Sequence, residues 1–424
     1  MKDGYKDTLF GKLPDKWNIS KIKDITVEHK QGYFTKEPYV NDGTYLARVT
    51  DLKNPLVDFS DMPKLNISSK DYEDFKICKD DFLFARSGAI GRYGIFENDT
   101  KPAIFGSYII RFRFDLELVV NRYIGYFYES SICRQQLKSI SQGNANVNIN
   151  AENIKSLSLP IPPLLEQQKI ADILTTVDDK LENIESQIAE YTNLKKGLMQ
   201  QLLTKGIGHS KFVDSKLGMI PEGWRVVKLG EIGSTYNGLS GKSKDDFGNG
   251  EPYIPYMNIF SNNTINPNWL EYVSISPDEN QNAVKYGDVF FTTSSETPEE
   301  VGMSSVLLDD IGTVYLNSFC FGFRLNDFNA LLPDYAKFLF RGQAVRKSIV
   351  VFAQGSTRFN LSKTNLLKRL HLALPPISEQ KEIANILTSV DEKMKSLLQK
   401  KEEYTKLKKG LMEQLLTGRI RVKV

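Results

Sequence analysis

Polar loops are the part of this sequence whose residue types could bind another molecule. The stretches 142–150 (QGNANVNIN) and 354–360 (QGSTRFN) are rich in Asn and Gln, and the second contains Arg358. Asn, Gln and Arg can form paired hydrogen bonds with the edges of bases, and Lys, Ser and Thr can bind phosphates. These loops therefore indicate nucleic-acid recognition, with ordinary solvated loops as the alternative.

Further candidates lie where aromatic, hydroxyl and basic side chains occur close together. Residues 82–113 contain five basic residues against two acids, and the loop 31–39 combines tyrosine, threonine and lysine. The candidate DNA contacts are Tyr33, Thr35, Lys36, Arg86, Arg92, Gln142, Asn144, Asn146, Lys242, Lys244, Gln354, Arg358 and Asn360.

No catalytic, metal or cofactor motif is complete in the sequence. The three cysteines and three histidines stand far apart, without the spacing of a zinc site. Gly241-Lys242-Ser243 resembles the end of a P-loop, but Tyr236 occupies the place of its first glycine. Asp391-Glu392-Lys393 could suggest a nuclease, but it lies in a heptad pattern, which favours a solvated helix face. We predict a chain that is not an enzyme by itself and holds no metal or cofactor.

Composition narrows the class of protein but names no partner. The 424 residues are enough for two or three domains, and 55 basic against 52 acidic residues give a net charge of only +3. The few cysteines fit a reducing compartment, and no apolar leader or membrane-spanning stretch is visible. We expect a cytoplasmic protein with no membrane contact.

The dominant feature of the chain is an internal repeat. The segment PPLLEQQKIADILTTVDDK at 162–180 returns as PPISEQKEIANILTSVDEK at 375–393, and LKKGLMQQLLT at 194–204 returns as LKKGLMEQLLT at 407–417. The segments preceding these tails match more weakly, for example at Trp17 and Trp224. The chain is thus two halves of ~210 residues, each a variable globular part followed by a near-constant tail.

Both tails have the apolar spacing of long coiled-coil helices. Apolar residues recur at alternating steps of four and three, and early acids with late lysines favour antiparallel pairing. The pattern breaks at Lys195 and Lys408, where Leu194 and Leu407 are expected to fill the seam. Pairing within one chain is predicted, with a coiled coil between two chains as the alternative. The predicted seam or subunit-docking residues are Ile170, Leu174, Val177, Leu181, Ile184, Ile383, Leu387, Val390, Met394 and Leu397.

The variable parts have short apolar runs typical of strands, separated by turn residues. Strands are predicted at 81–85, 108–114, 288–292 and 319–325, and short helices at 121–130 and 334–346. The predicted fold class is α+β, with two similar mixed α/β domains separated by two long antiparallel coiled-coil helices in an internal pseudo-two-fold repeat. The predicted divisions are 1–160, 161–205, 206–374 and 375–424.

This layout resembles the specificity subunit of type I restriction–modification enzymes over essentially the whole chain. The resemblance rests on the two tails and on the openings LPDKW at 13–17 and IPEGW at 220–224. It implies two target-recognition domains that each read half of a bipartite double-stranded DNA sequence. It also implies that the paired helices set the separation of the half-sites and dock methyltransferase subunits.

The resemblance implies partners that carry the chemistry. Two methyltransferase subunits would bind S-adenosylmethionine and methylate adenine, and restriction subunits would use ATP and magnesium. No catalytic or base-contacting residue carries over from the resemblance. Two other functions remain open at this point: a self-contained DNA methyltransferase or nuclease, and a coiled-coil scaffold without a DNA role.

Overall fold

The structure is a computed structural model that describes residues 4–86, 91–97, 100–141, 149–355 and 357–423. The chain divides into two compact units. Unit 1 comprises Met1–Glu185 and Gln399–Val424, and unit 2 comprises Ser186–Leu398. Both divisions fall inside the long helices, so each unit contains one globular part and one end of each helix. The divisions predicted at residues 160, 205 and 374 remain a prediction.

Unit 1 contains eleven described strands and four short helices before the first long helix. The strands are β1 Tyr5–Thr8, β2 Gly11–Pro14, β3 Asn18–Lys21, β4 Thr26–Gln31, β5 Thr44–Ala47, β6 Lys64–Leu65, β7 Phe82–Ala85, β8 Tyr93–Ile95, β9 Ala103–Phe105, β10 Ile109–Phe114 and β11 Ser158–Ile161. The helices are α1 Ser69–Phe75, α2 Asn121–Glu129, α3 Ser131–Ser141, α4 Ala151–Ser156 and the long α5 Leu164–Lys205.

The sheets of unit 1 are small and mostly antiparallel. The main sheet has the order β4-β10-β7-β8, and a second sheet, β6-β5-β9, contains the parallel pair β5 and β9. Strand β3 pairs with β11, which directly precedes α5. This pairing joins the beginning of the globular part to the start of the long helix.

The core of unit 1 includes both long helices. Phe82, Phe84 and Phe112 of the main sheet are fully buried with the tyrosines of α2. Leu174 from the beginning of α5 and Leu415 from the other long helix belong to the same cluster. Since burying a side chain of this size contributes about 1.5–3 kcal/mol, the helix ends are integral to the domain.

Unit 2 repeats this arrangement with further short elements. Its strands are β12 Phe212–Val213, β13 Ile220–Pro221, β14 Arg225–Lys228, β15 Gly233–Asn237, β16 Phe247–Ile254, β17 Glu271–Val273, β18 Val289–Thr292, β19 Ser294–Ser295, β20 Ser304–Val306, β21 Tyr315–Leu316, β22 Cys320–Leu325, β23 Ala353–Gln354, β24 Phe359–Leu361 and β25 His371–Leu374. Its helices are α6 Leu229–Ile232, α7 Tyr256–Ser261, α8 Pro333–Leu339, α9 Gln343–Val350, α10 Lys363–Arg369 and the long α11 Ile377–Leu415.

The sheet orders of the two units correspond. The main sheet of unit 2 is β15-β22-β18-β20, the parallel pair is β16 and β21, and β14 pairs with β25 before α11. Unit 2 also has the small sheet β19-β24-β23. Two similar mixed α/β domains with two long helices confirm the predicted fold class.

The short predicted elements are mostly found at the expected places. Strands β7, β10, β18 and β22 begin one residue later than predicted. The prediction of one helix at 334–346 was wrong in one respect, because this segment forms two helices, α8 and α9. Gly342 lies between them, and a Cβ atom there would meet Leu203 and the Leu339 carbonyl oxygen at 2.8 and 3.1 Å. A close approach therefore accompanies the break, and a larger residue at this position would require the Leu203 side chain to move.

The repeated motif at the start of each long helix holds the helix on its domain. The indole Nε1 of Trp17 donates to Glu166 Oε2 at 2.9 Å, and Trp224 donates to Glu379 Oε2 at 3.1 Å. The tryptophans of the two openings and the glutamates of the two tails therefore form one repeated contact. In unit 1, Arg421 also binds the Glu166 carboxylate.

The glutamine that follows each glutamate is fully buried, and both its side-chain oxygen and its side-chain nitrogen form hydrogen bonds. Gln167 accepts from the Val120 N–H at 3.0 Å and donates to the Leu118 and Pro162 carbonyl oxygens, both at 2.9 Å. Gln380 makes the same three bonds with the loop before α8 and with the proline two residues before its own helix. Such a side chain locks the loop against the helix start, because each partner would otherwise be buried without a hydrogen bond.

Within each unit the two long helices run antiparallel, as predicted for pairing within one chain. In unit 1, Lys408 binds Asp178 at 2.8 Å and Lys401 binds Glu185 at 2.8 Å. In unit 2, Lys195 binds Asp391 at 2.5 Å. In unit 1, moving seven residues forward along α5, from Asp178 to Glu185, thus moves the partner seven residues back along α11, from Lys408 to Lys401.

The expectation for the two breaks in the seam was wrong. Leu194 and Leu407 are each 48% exposed and do not fill it. The lysines next to them turn inward instead, because the opposite helix supplies Asp391 to Lys195 and Asp178 to Lys408. A charged pair therefore replaces one apolar layer in each unit.

The other predicted seam residues are largely enclosed. Eight of the ten are buried, and Leu181 and Met394 are partly buried. The second tail is helical only as far as Leu415, and residues 416–423 form turns and irregular chain. Among the described residues, no helix combines the length and the apolar character needed to cross a membrane.

Candidate nucleic-acid interface

The polar loop of unit 2 is held at one end of its main sheet. The N–H of Thr293, just after β18, donates to the carbonyl of Phe319, just before β22, at 2.9 Å. The N–H of Leu361 on β24 donates to the Thr293 carbonyl at 2.8 Å. These bonds place the loop 354–360 beside the ends of two core strands, where its exposed side chains can face a ligand.

Three predicted contacts of unit 2 come together on this loop. Gln354 on β23 and Asn360 on β24 are opposite each other in the sheet, and both are exposed. Arg358 is exposed at the turn between them, and its Cζ lies 6.0 Å from the ring centroid of Phe319. Amide and guanidinium groups in this arrangement can reach base edges, and the guanidinium also lies within cation–π range of the ring.

A further cation lies close to this surface. Lys363, at the start of α10, bonds the side-chain oxygen of Asn237, and its Nζ lies 5.8 Å from the centroid of Phe321. Neither Asn237 nor Lys363 was among the predicted contacts. Asn237 ends β15 and pairs with Phe321 in the main sheet, so it lies at the same sheet end as the polar loop.

Unit 1 has the same backbone frame with other side chains. The N–H of Arg86 donates to the Tyr108 carbonyl at 2.8 Å, and the N–H of Ile149 donates to the Arg86 carbonyl at 2.9 Å. Arg86 therefore corresponds to Thr293, Tyr108 to Phe319 and Ile149 to Leu361. The predicted contacts Gln142, Asn144 and Asn146 lie outside the described residues.

An open cavity of about 950 Å³ in unit 1 brings four predicted contacts together. Tyr33, Thr35, Lys36 and Arg92 all line it, with Tyr108 at the same wall. The ring of Tyr33 packs edge-on against Phe75 at 5.2 Å, and Thr35 Oγ1 accepts from the Glu37 N–H at 2.9 Å. Arg92 and Lys36 are exposed, so the cavity presents positive charge beside aromatic rings.

The two lysines predicted in unit 2 differ in their surroundings. The Lys242 side chain is only 4% exposed and binds Glu279, at 2.5 Å, and the Ser274 carbonyl oxygen. Hydrogen bonds from Lys242, then from Gln281 and the Ser276 N–H, lower the pKa of Glu279 to about 2. This geometry favours a structural role for Lys242 over the predicted DNA contact. Lys244 is exposed.

Part of the positive charge of residues 82–113 is neutralised inside unit 1. Arg113 Nε bonds Asp81 at 2.7 Å, and Arg111 bonds Glu28. Unit 2 repeats the first pair, with Arg324 Nε bonding Asp288 at 2.8 Å. The carboxylates raise the pKa of Arg113 and of Arg324 above the usual value, so these cations stabilise the sheets.

The sequence analysis also missed two exposed aromatics, Tyr108 and Phe319. Both follow a serine and are the first residue of a predicted strand, in SYIIRFRF and SFCFGFRL. An aromatic side chain at the same place in both copies was a signal that could have identified them. Among the described residues, no group of three or more His, Cys, Asp or Glu side chains could hold a metal ion.

Comparison with known proteins agrees with this architecture. The family described as type I restriction modification DNA specificity domain matches residues 14–192 and 221–406. The type I restriction enzyme MjaVIII specificity subunit of Methanocaldococcus jannaschii is 29% identical over 343 residues, 76% of each chain. The EcoKI specificity subunit of Escherichia coli K12 is 25% identical over 88% of this chain and 82% of its own.

A solved structure shares the fold at low sequence identity. The crystal structure of the S subunit of a type I restriction–modification system from M. genitalium has a TM-score of 0.58 and 16% identity, covering 94% of this chain and 96% of that one. The family match spans both repeats, including most of each long helix. The chain belongs to the type I restriction–modification specificity family, as a non-catalytic subunit that recognises DNA through two recognition domains.

Proposed function

We propose that each unit reads one half of a bipartite double-stranded DNA target. The long helices set the number of unread base pairs between the halves and dock two methyltransferase subunits. Those subunits supply S-adenosylmethionine chemistry, and restriction subunits add ATP- and magnesium-dependent cleavage. The complex works in the cytoplasm.

The observation that carries this proposal is one backbone frame with two different sets of side chains, an exposed aromatic ring and a partly buried neighbour in each unit. In unit 1 the frame presents Arg86 and Tyr108, and in unit 2 it presents Thr293 and Phe319. Direct readout depends on the side chains that face the base edges, whereas the frame only positions them. Two domains that share one fold but present different side chains to the bases therefore suit a target whose halves differ in sequence.

The experiment replaces residues 1–160 with the corresponding domain of another specificity subunit. The donor must have a tryptophan at the position of Trp17 and a loop that can bond Gln167, because these contacts seat the domain on α5. The chimera is produced with its methyltransferase subunits, and methylated DNA from the cells is sequenced at single-molecule level.

We expect one half of the methylated motif to change and the other half to stay. The matched control replaces residues 206–374, which should change only the other half. A change in both halves, or in neither, with the complex assembled would refute the assignment of one half-site to each unit.

A further inference from the structure

One large exposed aromatic ring occupies the equivalent point of each unit. Tyr108 is 66% exposed and Phe319 is 57% exposed. The residue after each ring, Ile109 or Cys320, is buried as the first residue of a core strand. The backbone at the ring is therefore fixed by the sheet, while the side chain projects into solvent.

The backbone hydrogen bonds around the two rings show that Tyr108 and Phe319 occupy the same place in the fold, and not only in the sequence repeat. The carbonyls of Tyr108 and Phe319 accept from the residues that follow β7 and β18, at 2.8 and 2.9 Å. The side chains at those following positions are unrelated, Arg86 in one unit and Thr293 in the other. An aromatic ring is thus common to both surfaces although their polar groups differ.

Both rings lie among groups that suit base and phosphate contacts. Arg358 lies over the Phe319 ring, and the loop that carries Arg358 also exposes Gln354 and Asn360. Tyr108 lines the unit 1 cavity together with Tyr33, Lys36 and Arg92. Amides and guanidinium groups bond the polar edges of bases in the major groove, but they cannot bond the one apolar group there, the methyl of thymine.

We propose that Tyr108 and Phe319 are specificity-determining residues, each placing its ring against the C5 methyl group of a thymine in the half-site of its own unit. The inference rests on the proposed function, because it requires that each unit reads a half-site.

The first test leaves the protein unchanged and alters the DNA. The target is taken from the methylated motif of the wild-type complex, and each thymine of a duplex carrying it is replaced in turn by uracil, which removes only the methyl group. We expect one position in each half-site at which the affinity of the assembled complex falls by roughly fivefold or more. A half-site without such a position, or without any thymine, would overturn the inference for its unit.

The second test assigns each sensitive position to a ring. In the Phe319→Ala complex, uracil at the sensitive position of the unit 2 half-site should cause no further loss, while the other half-site keeps its sensitivity. Tyr108→Ala should show the converse. If both variants keep full sensitivity at both positions, the rings do not meet the methyl groups.

Matched controls come from the opposite ends of the same two main sheets. Tyr286, about half exposed, precedes β18 at the end away from Phe319, and Leu116 follows β10 at the end away from Tyr108. Tyr286→Ala and Leu116→Ala should leave affinity and uracil sensitivity unchanged, and a loss as large as that of the ring variants would overturn the specific role of the rings. A wild-type complex without any bipartite preference would instead refute the proposed function itself.

Discussion

Lys242 and Lys244 are two residues apart, yet their environments assign them different roles. Lys242 is enclosed by Glu279 and the Ser274 carbonyl oxygen, whereas Lys244 extends into solvent on a short helical turn. An ammonium group already bound inside a loop would have to break two contacts before it could meet a phosphate. Lys244 is exposed and would not have to break such contacts before meeting a phosphate.

We therefore expect the two lysine substitutions to differ in kind. If Lys244 meets a phosphate, Lys244→Ala should reduce the slope of log affinity against log salt by about one unit, because one counterion fewer is released. Lys242→Met should leave the slope unchanged and lower the unfolding temperature by roughly a few degrees. DNA-binding titrations over a range of salt, together with thermal unfolding, measure both, and a reduced slope for Lys242→Met would restore it as a phosphate contact.

At this scale the sequence indicates residue types better than roles. The polar loops were recognisable from composition, and Gln354, Arg358 and Asn360 do lie on one exposed surface. The partner of Lys242 is 37 residues away in the chain, and its approach depends on the folded loop. The exposure of Phe319 is not visible from its own strand, because an aromatic at the start of an apolar run is expected in the core, and only its recurrence at Tyr108 signals otherwise.

The long helices owe their pairing to charged groups as well as to the apolar seam. Lys408 Nζ lies 2.9 Å from Glu129 and 2.8 Å from Asp178, and the Tyr126 hydroxyl donates to the same Asp178 at 2.9 Å. Burial lowers the pKa of Lys408, but the two carboxylates outweigh it, so that the pKa is raised overall. The charged form is thus favoured by folding.

Removing this lysine should destabilise unit 1. Lys408→Met leaves Glu129 and Asp178 facing each other without a cation, so we expect the free energy of unfolding at neutral pH to fall by about 2–4 kcal/mol. A pKa raised in the folded state means that the contribution is complete below the unfolded value, near 10.4, and is lost as the pH rises through the folded value. Denaturant titrations at pH 7 and above pH 10 should show the difference between wild type and variant shrinking.

The control substitution is Lys406→Met on the same helix. Lys406 pairs with Glu402 on an exposed face, so this variant should unfold almost as the wild type does. Equal losses for the two variants would show that Lys408 contributes no more than a surface pair.

Elements were predictable where a long regular pattern supports them. Heptad spacing along the two tails identified α5 and α11, and short apolar runs identified β7, β10, β18 and β22. The breaks at Lys195 and Lys408 could not be interpreted from one helix alone. Their aspartate partners become visible only when the antiparallel register is known, and until then a neighbouring leucine is the simpler choice for an apolar seam.

On the scale of the whole molecule, the helices can be tested as a ruler between the half-sites. One heptad inserted after Ile184 in α5 and one after Lys401 in α11 are at matched heights, because Glu185 pairs with Lys401. Seven residues preserve the seam and add ~10 Å, equal to about three base-pair steps. Three steps also turn the groove by roughly 100°, so binding to the native site should collapse.

Any site that the lengthened protein recovers should have the same half-sequences and a longer gap. Sequencing of methylated DNA from cells that carry the variant complex measures the gap directly. As a control, a heptad in α5 alone shifts the register and should disrupt assembly. Retention of the original gap by a folded, assembled variant would show that the helices do not set the spacing.

The composition of unit 1 from two distant stretches has a consequence for how the protein is made. Met412, Leu415 and Leu416 belong to the same core as Trp17 and Phe82, and Tyr5 donates to the Gly418 carbonyl oxygen at 3.1 Å. Residues 1–185 therefore emerge from the ribosome before the end of α11, which completes their core, has been made. At ~5–20 residues per second, that segment waits roughly ten to fifty seconds.

Unit 2, by contrast, is continuous from Ser186 to Leu398 and can close first. The part of the chain that is translated first is thus the last to be finished. A nascent chain that stops before residue 399 would leave its earliest-made segment with exposed apolar surface, which makes that segment the natural substrate of chaperones and proteases.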